Sequence, residues 1–288
     1  MEQTVSALPL GSDASSQAAS PVRVIAVTSG KGGVGKTNVV LNLALALSAA
    51  GQRVLVLDAD LGLGNLDVLL GMVPTRTMTD VLHGRARLSD VILDGPNGIR
   101  ILPAGSGDVA MTALTPDQLV ALQAELEWVC HSIDVLLIDT GAGISTNVLF
   151  FASGAQEIMV VMSPEPTSMA DAYALIKVLA RRHRETRFRL LINMARHTRE
   201  ARESYQRLAL VAERFLDVPV LIDYVGMVPT DTYLQMAVAK QEAVVRAFPR
   251  APSSEAFHRL AKGVLEWAPA VRPKGGMEFL WRRFFNRA

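Results

Sequence analysis

One cysteine, Cys130, occurs in 288 residues. That excludes a disulfide framework within the chain and leaves no cysteine cluster for an iron–sulfur centre or a structural zinc. Cys130 lies in the apolar-rich run "LEWVCHSIDVLLID", where a thiol serves as a small packing group. An excess of charge of one sign is also lacking: a net +1 exerts no global pull on nucleic acid, so a charged partner must be read from local patches. Apolar runs of about 18 residues, long enough to span a bilayer, are missing. So is a secretory leader, because "MEQTVSALPLGSDASSQAAS" has no basic start followed by an apolar stretch. A cytoplasmic protein is expected, with attachment to a membrane surface left open. Hydrophobic residues at 50% and charged residues at 20% suit a filled globular core.

Short β-branched runs are abundant, and they alternate with helical stretches. Strands are expected at 23–29, 53–60, 99–105, 134–140, 157–163, 187–194 and 220–229, with helices at 36–50, 115–131, 168–184, 198–216 and 253–266. The strands read as near-continuous apolar runs, as in a parallel sheet covered on both faces. The expected fold is α/β, a doubly wound and mostly parallel sheet with ligands at the carboxyl ends of its strands. Residues 1–20 read as a disordered arm, 21–267 as the folded domain and 268–276 as a linker to a distinctive tail, 277–288.

After the first strand comes "GKGGVGKT". Gly30, Gly35, Lys36 and Thr37 meet the phosphate-loop pattern G-x-x-x-x-G-K-[ST], between an apolar strand and a helix start as the mechanism requires. The backbone of Gly30, Lys31, Gly32, Gly33, Val34, Gly35, Lys36, Thr37 and Asn38 would turn its N–H groups around phosphate oxygens, aided by the helix N-terminus. Lys36 would neutralise the outer phosphates and the Thr37 hydroxyl would ligate Mg²⁺. Carboxylates for the metal are offered by Asp58 and Asp60 in "VLDADLGLGNLD" and by Asp139 in "VLLIDTGAG". Asp58 and Asp60 would share one side if the strand is still extended there; Asp58 also reads as an ordinary strand-end carboxylate. The turn at Gly141 and Gly143 suits a switch that senses the γ-phosphate.

Lys31 is surplus to this pattern. Its side chain could reach nucleotide in its own subunit or in a facing one. The loop "GKGGVGKT" resembles the deviant phosphate loop of the MinD/ParA family of dimerising ATPases, and so do "DADLGLGNLD", "LLIDTGAGIS" and "SPEPTSMADAYALIKVL". The resemblance runs from Arg23 to about Trp267. It implies slow, partner- or membrane-regulated hydrolysis of ATP to ADP with Mg²⁺, and a homodimer formed with ATP. By the same resemblance Lys31 and Lys36 belong with the catalytic set. Lys31 acts across the dimer, Asp60 leads catalysis and Asp58 joins Thr37 and Asp139 around the metal. Asn193 of "LLINMA" matches the adenine-facing position, and Val228, Pro229 and Asp231 of "VPTD" fall where the base is flanked.

In the tail "GGMEFLWRRFFNRA", Met277, Leu280, Trp281, Phe284 and Phe285 follow helical spacing and form one apolar stripe, with Arg282, Arg283 and Arg287 largely opposite. Such a helix lies on an anionic membrane surface or packs back on its own domain. Two copies in a dimer would hold lipid far better than one. "GLGNLDVLLG", "GIRILPAGSG" and "VVRAFPRAPSSEAFHRLA" resemble the flagellar-number branch of the family. That implies a signal-recognition-type flagellar GTPase, FlhF, as partner, with flagellar switch proteins or a flagellar transcription activator as others. The branch's N-terminal GTPase-activating motif is not met: "SSQAASPV" places Pro21 where a helix should continue. Two other readings stay in view, a division-site selection ATPase and a partition ATPase that binds DNA. The last would use Arg181, Arg182, Arg184, Arg187 and Arg189 of "ARRHRETRFR", which also reads as a solvated helix end. The near-neutral charge and the tail weigh against DNA.

Overall fold

The computed structural model describes residues 22–60, 64–77, 80–81, 84–104, 129 and 132–268. The expected helix at 115–131 and the tail stripe from Met277 to Phe285 lie outside the described residues, as does Cys130.

Eight strands form one sheet in the order β3-β4-β2-β5-β1-β6-β7-β8. They are β1 Arg23–Ser29, β2 Val54–Ala59, β3 Leu93–Asp94, β4 Arg100–Leu102, β5 Val135–Ala142, β6 Glu157–Met162, β7 Arg187–Ala195 and β8 Leu221–Pro229. All neighbours pair in parallel except β3 with β4 at one edge. The doubly wound, mostly parallel α/β sheet expected from the apolar runs is the one observed. Strand 99–105 is shorter than expected, Arg100–Leu102.

Alternation along each strand divides the core. Ile25 and Val27 of β1, Val56 of β2 and Leu137 of β5 face one layer, while Val24, Ala26, Leu55 and Leu136 face the other. The first layer holds α1 (Lys36–Ala49), with α2 (Leu66–Leu69), α7 (Thr232–Ala239), α8 (Val244–Ala247) and α9 (Pro252–Glu266) packed around it. Enclosure on all sides explains why α1 is apolar all round rather than amphipathic. Its buried Asn42 is the exception: the side-chain oxygen accepts from the Val245 N–H, fixing α8 over α1. The other layer holds α3 (Leu88–Val91), α4 (Thr146–Gly154), α5 (Pro166–His183) and α6 (Thr198–Phe215).

Five helices fall outside the expected ranges: the four-residue α2, α3 and α8, and the longer α4 and α7. The longer two begin at a side-chain cap, Ser145 accepting from the Val148 N–H and Asp231 from the Tyr233 N–H. From β1 the chain passes to β2 on one side and later to β6 on the other, with β5 inserted beside β1. This reversal opens a crevice at the carboxyl ends of β1, β2 and β5.

Candidate nucleotide site

A cavity of about 680 Å³ occupies that crevice. The loop between β1 and α1 forms its floor: Lys31, Gly32, Gly33, Val34, Gly35, Lys36, Thr37 and Asn38 all line it. Gly33 and Gly35 have φ of 79° and 80°, a left-handed region that favours glycine and turns the loop inward. α1 starts on Gly35 with no side-chain cap and no acidic residue in its first turn. Its opening N–H groups and positive end therefore face the cavity, an arrangement suited to an anion.

Lys36 is largely buried, and its Nζ donates to Asp139 Oδ1 at 3.1 Å. Asp139 is 1% exposed within β5, three residues before its end, and also takes a hydrogen bond from Thr37. Burial pushes its carboxyl above the usual range, against the opposing pull of Lys36 and Thr37. Asp58 stands beside Asp139 in the β2–β5 register. Its Oδ1 accepts from the Asp60 N–H at 3.1 Å and its Oδ2 from the Leu66 N–H at 3.4 Å. Burial, reinforced by the charge on Asp139, raises Asp58 to about 7. Gly64 packs so closely that an added Cβ would lie 2.9 Å from Asp58 Oδ2.

The two aspartates of "DAD" do not share the cavity. β2 ends at Ala59, so extended alternation stops one residue before Asp60. Asp60 turns to line the cavity near Gly141, while Asp58 stays behind it and braces the turn. Asp139 likewise sits behind the lining, reached through Lys36 and Thr37. Gly141 lines the cavity and Gly143 does not; Gly143 has a φ of 92°, and its N–H donates to the Ser29 carbonyl at 2.9 Å.

Gly30 is needed for a different reason than phosphate approach. It does not line the cavity, and a Cβ there would overlap the backbone of α5 at Asp171 and Ala172. Lys31 is tied to the same helix. Its Nζ donates to Glu165 Oε2 at 2.9 Å and to Thr167 Oγ1 at 3.0 Å, with the side chain 38% exposed at the cavity rim.

Asn193 and Val228 pair in the β7–β8 register, and Pro229 follows at the strand end. None of the three lines this cavity, although the Asn193 Nδ2 donates to the Val34 carbonyl at 2.8 Å. Asp231 is committed elsewhere. Its Oδ2 accepts from the Ser253 N–H at 3.0 Å and from the Ser253 Oγ at 2.6 Å, joining α7 to α9. Sequence reading passed over several residues that do line the cavity: Ser29, Asn65 and Val68 of the α2 segment, and Ser145 and Asn147 at the start of α4. The α4 pair had a visible signal, a serine followed by an apolar run. Ser29 earns its place by donating from Oγ to the Lys31 carbonyl at 3.0 Å.

Among the described residues no three acidic, histidine or cysteine side chains converge on a metal. A divalent ion here would need phosphate oxygens among its ligands, with the Thr37 hydroxyl and a nearby carboxylate completing the set, the usual habit of Mg²⁺. The floor of glycines, uncapped helix and buried lysine fits a bound polyphosphate.

A strand–glycine loop–helix with a buried lysine paired to a carboxylate of the neighbouring strand defines a P-loop NTPase. The chain belongs to the ParA family: the family model described as NUBPL iron-transfer P-loop NTPase matches residues 21–265. Within it, the sequence is 51% identical to the antiactivator FleN of Pseudomonas aeruginosa over 263 residues, 91% of this chain and 93% of that one. It is 31% identical to the flagellum site-determining protein YlxH of Helicobacter pylori, over 92% of this chain and 90% of that one. The structure of the septum site-determining protein MinD of Pyrococcus horikoshii, complexed with Mg-ADP, matches with a TM-score of 0.66 at 28% identity. That match spans 85% of this chain and 96% of that one. No helix among the described residues is long and apolar enough to cross a membrane.

Proposed function

We propose that the protein is an ATPase that dimerises with ATP, binds the cell membrane peripherally and controls flagellar number or placement together with a flagellar GTPase of the FlhF type. The observation that carries the flagellar reading is the 51% identity to FleN across nine-tenths of the chain. In this reading the protein is cytoplasmic and rests on the inner face of the membrane while ATP is bound. Flagellar switch proteins or a flagellar transcription activator are its further partners.

The residues of the site support this switch. The loop and Lys36 would hold the phosphates, Thr37 would hold Mg²⁺ with Asp139 and Asp58 behind it, and Asp60 would orient the attacking water. Mg²⁺ would supply charge neutralisation for the outer phosphates. Lys31 is available for a second copy because it sits at the rim on an exposed ion pair. Val68, Ile144 and Met194 are each about half exposed on or beside residues that line the mouth. Covering that apolar rim with a second chain would stabilise the dimer. A lysine supplied across the interface favours the γ-phosphate, so ATP promotes dimerisation and hydrolysis releases it. The tail stripe 277–288, doubled in the dimer, would convert that equilibrium into membrane residence.

The DNA-binding alternative loses support from the ion pairs. Arg181 pairs with Asp217 and Arg187 with Asp223, both at 2.7 Å, and buried Arg189 pairs with Glu157 and Asp223. Three of the five arginines are thus neutralised within the chain. Counting flagella and minicells by electron microscopy in cells lacking the gene separates the other readings. Altered flagellar number with normal division is expected; minicells with unchanged flagella would reassign the protein to division-site selection.

A further inference from the structure

Lys31 lines the cavity, yet its charge is engaged within its own chain. An ammonium has three donors. Two of them go to Glu165 Oε2 at 2.9 Å and to Thr167 Oγ1 at 3.0 Å, both at the start of α5. The lysine that a facing nucleotide would need is held by a carboxylate of the same subunit.

That carboxylate serves the lysine and not its own helix. Glu165 is the residue on which α5 begins, a position where a polar side chain commonly caps the first N–H groups, but its side chain makes no such bond. Pro164 and Pro166 flank it and restrict its backbone. The turn is closed by the buried Ser163, whose N–H donates to Ser168 Oγ at 3.0 Å. On the lysine's side, the Ser29 Oγ donates to the Lys31 carbonyl at 3.0 Å, and Gly30 lies against the α5 backbone. Both backbones are fixed, so the two side chains are the parts that can separate. Their separation costs little, because Lys31 and Glu165 are 38% and 63% exposed and water can replace either partner.

We infer that Glu165 and Thr167 form a resting berth for Lys31 that opposes ATP-dependent dimerisation. In the single chain the berth satisfies the ammonium. In a dimer each Lys31 must leave it to meet the γ-phosphate of the facing copy, and ADP lacks the phosphate that would draw it out. The strength of the berth therefore sets how much protein is needed before ATP assembles the dimer. This rests on the ATP-dimer reading proposed above and adds to it a contact of opposite sign. Loss of Lys31 weakens the dimer, whereas loss of the carboxylate that holds it strengthens the dimer.

The test is light scattering of the full-length protein with Mg²⁺ and ATP over a range of protein concentrations, which gives the dimerisation midpoint. Wild type is compared with Glu165→Gln, Glu165→Ala and Thr167→Val. Each dimer gives up two exposed ion pairs, so both Glu165 variants should dimerise at about fivefold lower protein concentration. Thr167→Val removes an uncharged acceptor and should shift the midpoint the same way by about twofold. Glu165 caps nothing, so thermal unfolding of its variants should match wild type. A tighter dimer cannot come from a damaged fold. A Glu165→Gln midpoint equal to that of wild type would overturn the berth. A higher midpoint would also overturn it and assign the carboxylate to the dimer contact. Wild type and Glu165→Gln both monomeric with ATP at every concentration would bring down the dimer reading itself, and this inference with it.

Discussion

Asp58→Asn should change the pH dependence of stability more than its magnitude. The Asp58 carboxyl is raised from an ordinary 3.8 to about 7 by burial and by the neighbouring charge of Asp139. The folded protein therefore holds a proton that the unfolded chain gives up between those two values. Stability falls as pH rises through that window, and is fully recovered only below the lower value. Over pH 5 to 8 the loss integrates to about 2–3 kcal/mol. Asparagine cannot ionise, so the variant escapes this loss. It does exchange one acceptor for an amide and forfeits either the Asp60 or the Leu66 N–H bond, an offset of about 1–3 kcal/mol. That offset does not depend on pH. Urea unfolding of both proteins, without nucleotide, at pH 5, 6, 7 and 8 separates the two effects. The variant should be the less stable protein at pH 5 and should gain on wild type steadily toward pH 8. A stability difference constant within about 0.5 kcal/mol over this range would refute the claim that Asp58 is buried protonated near neutrality.

Lys31→Ala should leave unfolding within about 1 kcal/mol of wild type, because its ion pair with Glu165 is exposed, yet abolish ATP-dependent dimerisation in light scattering. A dimer that persists with ATP would sink the cross-subunit role. Asp60→Ala should stop phosphate release and trap an ATP-bound dimer; normal release would reassign the water-orienting role to another residue. Gly30→Ala should cost about 1–3 kcal/mol in unfolding and weaken nucleotide binding, since its methyl group would overlap the α5 backbone. A variant as stable as wild type would mean that the loop and α5 separate more easily than their packing indicates.

Much of this architecture was written in local patterns. Strands such as Arg23–Ser29 and Glu157–Met162 are legible because a buried parallel strand must be apolar on both faces, and the run ends where the strand ends. The phosphate loop is legible because glycine spacing and a following lysine encode a local turn. What spacing does not encode is the point at which a strand stops. Asp58 and Asp60 are two residues apart, but β2 ends between them and sends their side chains to different environments. Helix α4 was passed over because "TNVLFFASG" is apolar without a clear stripe, its polar signal being confined to Ser145. Long-range partners are wholly illegible: Glu165 lies 134 residues from Lys31, and Asn193 lies 159 residues from Val34.

Those two distant contacts explain why a loop of this kind carries two lysines that are not equivalent. Its first half is held by α5, through the close approach of Gly30 and the reach of Lys31 to Glu165 and Thr167. Its second half is held by the end of β7, through Asn193 on Val34 and under Gly35. Lys36 belongs to the second half, points into the sheet and is charge-balanced by Asp139. Lys31 belongs to the first, on the rim, with partners solvent can replace at little cost. A buried lysine with a buried carboxylate is fixed in place, since losing either partner leaves a charge stranded. A rim lysine on an exposed pair is free to change partners. Lys31 is therefore the lysine free to change partners, and a displacement of α5 would move its anchor while leaving the buried Lys36–Asp139 pair in place.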